Sequence, residues 1–318
     1  MPPPSRPVLV LDSASLYYRS FYALPEKMTA PDGRPHNAVR GFLTTVARLI
    51  DLHGPRAVIA CWDNDWRPQW RVDLIDSYKS HRVAEPETDA AGAPAGEAEP
   101  ESLGPQAEAI AELLDAAGLP RWGVDGFEAD DVVGSVTTQG PGPSLVVSGD
   151  RDLVQLIDAR TRLHLTVNGG MEKWPLLDAP AAEERFGVDP SHYVDVAVLR
   201  GDPSDGLPGV AGIGAKTAVA LVTAFGDVEG VLAAAGDATT PRPMTPRLAQ
   251  SLLQNADVVL RARRVTSVVR DLPLPGPVPP IPTHPADRAR LDALADQWGV
   301  RRQVDELESA LRRQTDEE

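Results

Sequence analysis

The run VLVLD, Val8 to Asp12, places four apolar residues directly before an acid. The pattern recurs in AVIACWD, ending at Asp63, and in SLVVSGD, ending at Asp150. None of the three alternates apolar with polar, so each reads as a short strand buried on both faces of a sheet. Helical periodicity fills the intervals, as from Val39 to Leu52 and from Gln106 to Ala117. Strand alternating with helix predicts an α/β fold with a parallel sheet. Ligands of such sheets bind outside the carboxyl ends of the strands. Asp12, Asp63 and Asp150 are therefore expected on one edge.

A chain of 318 residues can bury one large core or two modest ones, and two subdomains are expected. No apolar run approaches the roughly 18 residues of a membrane span. The N-terminus, MPPPSRPVLVLD, is too short in apolar residues for a signal peptide. The single Cys61 excludes an intramolecular disulfide and a multi-cysteine zinc site. A reduced, cytoplasmic protein with no membrane partner is the expectation.

The net charge of -15 would oppose nucleic-acid binding if it were evenly spread, because that binding rests on neutralising phosphates. It is not even. Glu85 to Asp131 holds thirteen Asp and Glu against one Arg, whereas Arg6 to Arg82 holds eleven Lys and Arg against eight acids. Bulk charge excludes nothing here.

Two stretches lack a core pattern. Glu85 to Pro105, EPETDAAGAPAGEAEPESLGP, has almost no large apolar residue and reads as a mobile loop or arch. Leu272 to Pro285, LPLPGPVPPIPTHP, reads as a stiff extended connector, followed by a helical piece from Ala286 to Gln314. The expected organisation is an α/β core over residues 1–180, with an arch at about 79–105, and a helical region over 181–318.

Acids recur beyond the strand ends, as Glu128, Asp130 and Asp131 in FEADDVV, Asp152 in SGDRDLVQL, and Asp202 and Asp205 in GDPSD. Glu128 and Asp131 share a face if their segment opens a helix. Asp202 before Pro203 has the form of a helix cap. Any single acid at such a place is more often a cap than a ligand. With the strand-end aspartates they make nine carboxylates that a fold could bring to one point. Two charges 4 Å apart cost about 4 kcal/mol at an effective dielectric of 20, so such a cluster needs bound cations. Oxygen donors without a His or Cys cluster point to magnesium or manganese rather than zinc.

GDPSDGLPGVAGIGAKTA, residues 201–218, suggests a phosphate-binding P-loop at first sight. That loop needs glycine directly before its lysine, and Ala215 precedes Lys216. Leu207 to Ala218 instead has the glycine spacing of a helix-hairpin-helix. Gly212-Ile213-Gly214 would make the reversal, and amides at the second helix's start would face a phosphate oxygen beside Lys216. Carbonyls of such a hairpin can also hold a monovalent cation such as potassium. The bland alternative is a turn between packed helices.

Together, VLDSASLYYRSFYALP, WRVDLIDSYKSHR, FEADDVV, SGDRDLVQLI and GDPSDGLPGVAGIGAKTA resemble the bacterial 5′-3′ exonuclease and flap endonuclease family. This is the family of the N-terminal nuclease domain of bacterial DNA polymerase I. The resemblance covers roughly Val8 to Leu274. It implies a resolvase- or PIN-like α/β core with a mixed, mainly parallel sheet and a helix-three-turn-helix DNA-binding part. It assigns Asp12, Asp63, Glu128, Asp130 and Asp131 to a first metal cluster, and Asp150, Asp152, Asp202 and Asp205 to a second. Tyr78 would stack near the scissile nucleotide, and Lys79 and Arg82 would contact its phosphate. Arg19 and Arg71 match basic positions near the site, and Gly212, Gly214, Lys216 and Thr217 match the DNA-gripping hairpin.

The chain departs from the family at Gly206, where Asn is usual, and at Trp62, where Phe is common. The first departure is expected to loosen its loop. The arch is acidic, which puts strand threading in doubt. No polymerase region follows, so a stand-alone, monomeric nuclease is expected. Its substrates would be DNA with 5′ ends or 5′ flaps, with RNA primers as a further class, cut by two metal ions. A branched-DNA-binding protein with little catalysis, and an RNA-directed or small-nucleotide phosphohydrolase, are the alternatives.

Overall fold

The computed structural model describes residues 6–83, 100–239 and 241–315, and the arch residues 84–99 lie outside them. Six strands form one sheet: β1 (Val8–Asp12), β2 (Ala57–Cys61), β3 (Arg121–Trp122), β4 (Ser144–Ser148), β5 (Thr161–Leu165) and β6 (Leu176–Leu177). Their order is β3-β2-β1-β4-β5-β6, parallel throughout except between β5 and β6. The three apolar runs ending in acids are thus the adjacent central strands. Sequence order reverses direction between β1 and β4, the kind of switch point where open sheets leave a crevice.

Strand residues alternate between two cores. Leu9, Leu11, Val58 and Leu145 face one, while Val8, Val10, Ile59 and Val146 face the other. Both faces are covered, which is why the runs need no polar alternation. On the first face lie α1 (Ser13–Ala23), α2 (Asn37–His53) and, after the short α3 (Gln69–Leu74), α4 (Gly104–Ala117). In α2, Val39, Phe42, Leu43, Val46 and Ile50 form a one-sided apolar stripe, and Gly54 ends the helix in the left-handed conformation. The second face is covered by α5 (Ala129–Gln139).

Beyond α6 (Ala179–Phe186), five helices follow: α7 (Tyr193–Arg200), α8 (Ala215–Phe225), α9 (Val228–Gly236), α10 (Pro246–Gln254) and α11 (Ala256–Thr266). They build a third core that also takes in Ile75 and Tyr78. The extended connector then leads to α12 (Arg288–Gln297) and α13 (Arg301–Thr315). These two helices do not stay with the helical region. Leu294, Trp298, Val304, Leu307 and Leu311 bury themselves in the first sheet core. Arg313 pairs with Asp51 of α2 at 2.7 Å, and the Arg6 guanidinium donates to Gln314. The stretch read from sequence as one region over 181–318 is therefore divided in space, because α13's apolar stripe finds its complement on α2.

Candidate active site

The carboxyl edge at the switch point opens into a cavity of about 740 Å³. Asp12, Asp63, Asp130 and Asp150 line it, with Lys79 and Arg82 at one flank. Each acid arrives by a local device. Asp12 ends β1 and caps α1, accepting from the Ser15 amide at 3.1 Å, while the Ser148 hydroxyl donates to its other oxygen. Asp63 follows β2 and accepts from the Ala129 amide at 2.7 Å. Asp150 follows β4 and accepts from the Asp152 amide at 2.7 Å. Asp130 projects from the first turn of α5.

The group is electrostatically frustrated. Burial raises the Asp12 carboxyl to about 7, with repulsion from Asp63 and Asp150 adding to the rise. Asp130 and Asp152 sit well above the ordinary carboxylate range, again through burial first and Asp150 second. Asp63 and Asp150 are raised by burial and partly relieved by Lys79. Hard oxygen donors lining one cavity with too few counter-charges suit a divalent cation. Asp152 and Asp205 lie behind, in a narrow recess that Asp130 also lines.

The nine carboxylates do not gather at one point. Among the described residues, no three acids are drawn together as a ligand set. Glu128 and Asp131 are occupied: Glu128 caps α5 and shares a capping box with Asp131. Arg71 lies between them, 3.0 Å from Glu128 and 2.8 Å from Asp131. Asp131 also accepts from the Val269 amide at 2.8 Å. Asp202 caps a single 3-10 turn by accepting from the Ser204 amide at 2.8 Å, so GDPSD starts no α-helix. The capping geometry of these acids is a strong local demand that competes with any ligand role.

Two of the basic or aromatic positions also differ from expectation, and a third, Arg19, stands to one side. Arg71, matched to the DNA-contacting positions, is 2 % exposed and spends its donors on Glu128, Asp131 and the Val265 carbonyl. In this structure it faces the acids inside the fold rather than the surface. Tyr78, expected to stack on a nucleotide, is 4 % exposed and donates its hydroxyl to Glu128 at 2.8 Å. Arg19 lines a cavity next to the acids rather than the acid cavity itself, and its guanidinium donates to the carbonyls of Val167 and Gly169 and lies over Trp174.

Lys79 reaches the cavity through an uncommon backbone. At φ 47 it is the one non-glycine residue of positive φ among those described, a conformation costing roughly 1 kcal/mol or more. Its ammonium pairs with Glu128, and burial, which disfavours its charge, is outweighed by Tyr78 and Glu128, so its pKa is raised. The Lys79 amide donates to the Asp205 carbonyl at 2.9 Å, and Arg82 pairs with the Asp205 carboxylate at 2.9 Å. Gly206 does not loosen this loop. Its φ is 67, and a Cβ there would stand 2.0 Å from the Ser77 carbonyl, so glycine lets the 201–206 loop seat against the Lys79 turn. Trp62 packs beside Tyr17 and under Arg121.

The glycine-rich stretch is a reversal between α7 and α8. Gly212 needs its glycine, with φ at 86. Gly214 does not: its φ is -96, and a Cβ would meet nothing within 4 Å. Gly214 caps α8 without a side-chain bond, leaving the first amides of the helix uncapped beside exposed Lys216 and half-buried Thr217. Reading charges alone passed over Ser15 and Ser148. Their signal was position, one turn into α1 and two residues before Asp150.

An open parallel sheet with acids at its switch point, basic side chains at the rim and a glycine hairpin alongside defines a class, the phosphodiester-cutting nucleases. The chain belongs to the 5′-3′ exonuclease family. The family's N-terminal resolvase-like domain matches residues 7–187, and its C-terminal SAM fold matches residues 188–289. A 5′-3′ exonuclease of Streptomyces coelicolor is 46% identical over 92% of this chain and 96% of its own length. One from Mycobacterium tuberculosis is 44% identical over 96% of this chain and 98% of its own length. The fold is also that of bacteriophage T5 flap endonuclease in a pseudo-enzyme-product complex with DNA and metal ions, at 18% identity. That match has a TM-score of 0.62 and covers 98% of this chain and 100% of the T5 chain.

Proposed function

We propose that this chain is a divalent-metal-dependent, structure-specific nuclease that hydrolyses DNA phosphodiesters at a 5′ end or at the base of a 5′ flap. The observation that carries this reading is the cavity at the switch point, where buried acids outnumber their counter-charges and Lys79 and Arg82 stand at the rim. Asp12, Asp63, Asp130 and Asp150 would hold the cations, with Asp152 and Asp205 adjoining. Bound magnesium or manganese would activate a water and stabilise charge on phosphate oxygens. Lys79 and Arg82 would turn from Glu128 and Asp205 to the scissile phosphate and stabilise developing charge. Glu128, held by Arg71, Tyr78 and Lys79, keeps Lys79 poised and sets the start of α5.

The α8 end of the hairpin would grip the duplex. The chain itself makes no use of the missing side chain at Gly214, which leaves its amides open to close approach by a phosphate. Potassium on the hairpin carbonyls, action on RNA primers and a monomeric state belong to the same reading. A binding protein without catalysis would have little use for the frustrated acids, which destabilise the metal-free fold.

A labelled 5′-flap duplex with and without magnesium, against RNA and mononucleotide competitors, tests the proposal. Metal-dependent release of a short 5′ product, inhibited best by unlabelled flap DNA, is expected. Binding without cleavage in any divalent metal would favour the alternative of a branched-DNA-binding protein. Preferential hydrolysis of RNA or mononucleotides would favour the phosphohydrolase.

A further inference from the structure

A second cavity, of about 640 Å³, adjoins the carboxylate cavity and shares Ser15 and Tyr18 with it. Its charge is opposite. Arg19, Arg151 and Arg185 line it, and among the described residues no carboxylate does. The chain as a whole has 46 acids against 31 Lys and Arg, so a cavity lined by three arginines runs against the composition. Arg151 and Arg185 are exposed, and neither has an ion-pair partner among the described residues. Arg19, by contrast, is anchored by two carbonyls and Trp174 and serves as the cavity's wall.

Topology relates the two cavities. The acids follow β2, β1 and β4, while the second cavity takes Gly149 and Arg151 after β4 and Thr166 to Asn168 after β5. Both therefore open on the same carboxyl edge, side by side. Neighbouring strands stand about 4.8 Å apart, so the step from β1 through β4 to β5 is roughly 10 Å. A nucleic-acid strand advances about 3.4 Å per nucleotide along its helix axis, so this distance spans about three nucleotides. An arginine fork matches phosphate geometry better than any other side chain.

We propose that Arg151 and Arg185 form a phosphate subsite for the strand being cut, within about three nucleotides of the scissile bond. The proposal rests on the nuclease reading and adds direction to it. The strand crosses the edge from the Lys79 and Arg82 rim, over the acids, to the arginines beyond β4. The repulsive acids and the attractive arginines then act on successive phosphates, so the strand gains its hold next to the cut rather than at it.

The test is kcat/KM on a 5′-flap substrate between 50 and 200 mM salt, for the wild type and two double variants. Arg151→Ala with Arg185→Ala is expected to lower kcat/KM tenfold or more. It should also flatten the salt dependence by about 0.7 to 0.9 per lost phosphate contact. Arg151→Lys with Arg185→Lys should restore most of the slope, since it restores charge without the fork. A single neutral methylphosphonate, moved along the cut strand, should impair the wild type at one position within three nucleotides of the cut. The same linkage should not further impair the alanine variant. An alanine variant with wild-type slope and a wild-type methylphosphonate profile would overturn the subsite while leaving the nuclease reading intact. A wild type that cuts no flap DNA would overturn the nuclease reading first, whatever the arginines do.

Discussion

The carboxylate edge and the glycine hairpin are built by opposite means. At the edge, side chains do the positioning: Arg71, Tyr78, Lys79 and Glu128 form a buried network, and Asp12, Asp63 and Asp150 are each fixed by an amide or hydroxyl. At the hairpin, backbone does it, with an uncapped helix start and a glycine that has empty space where a side chain would be. The first region tolerates like charges only because a rigid frame holds them. The second stays open because nothing inside the protein fills it. Substitutions should therefore act on stability and chemistry at the edge, but on binding at the hairpin.

The largest effect should come from the frame. Arg71→Leu leaves Glu128 and Asp131 buried without their shared cation, a loss of about 3–5 kcal/mol. Urea denaturation should register it as a fall in midpoint, and a wild-type midpoint would mean the network is ornamental to the fold. Next comes Asp150→Asn, expected to keep the fold and lose cleavage by on the order of a hundredfold or more, corresponding to a few kcal/mol. Because it removes a charge that repels Asp12, Asp130 and Asp152, the metal-free variant should melt no lower than the wild type. Near-normal cleavage with magnesium alone would remove Asp150 from the site.

The hairpin side sharpens the contrast. Gly214→Val suits the extended backbone and its Cβ meets nothing within 4 Å, so the fold should survive while duplex affinity drops by about tenfold, or 1.4 kcal/mol. Lys216→Ala should flatten the salt dependence of binding by about one phosphate contact. Unchanged affinity and slope in both would reduce the hairpin to a turn.

At neutral pH the smallest effect lies within the sheet half but away from the acids. His53 stands 3.1 Å from His164, and its pKa is lowered to about 4 by burial, then by His164 and Arg162. The unfolded chain takes up that proton near pH 6.5, whereas the folded chain resists until about 4. Stability from this group is thus present above about pH 6.5 and lost as pH falls toward 4. His53→Gln should flatten that part of the stability profile, measured by thermal melts across the range. A profile as steep as the wild type would assign the acid loss elsewhere.

Much of this was legible because it is local. An apolar run closed by aspartate is a buried strand with an acid at its carboxyl end whatever surrounds it, so Asp12, Asp63 and Asp150 could be placed from the sequence alone. The helices of the α/β part and the extended connector were equally readable from periodicity and proline. Which acid caps a helix, which pairs with a cation and which faces the cavity was not. Glu128 and Asp131 stand beside Asp130 in FEADDVV, yet Arg71, some sixty positions upstream, claims the first two and leaves the third. Tyr78 and Arg71 looked like contact residues, and long-range packing buried them. Gly206 looked like a loosened loop until Ser77 came within reach of its missing side chain. The C-terminal helix returned to α2 because its apolar stripe fits there. Periodicity and capping depend on neighbours along the chain, and a single sequence carries them. The roles of like-charged residues depend on who stands opposite in space, and only the folded chain decides that.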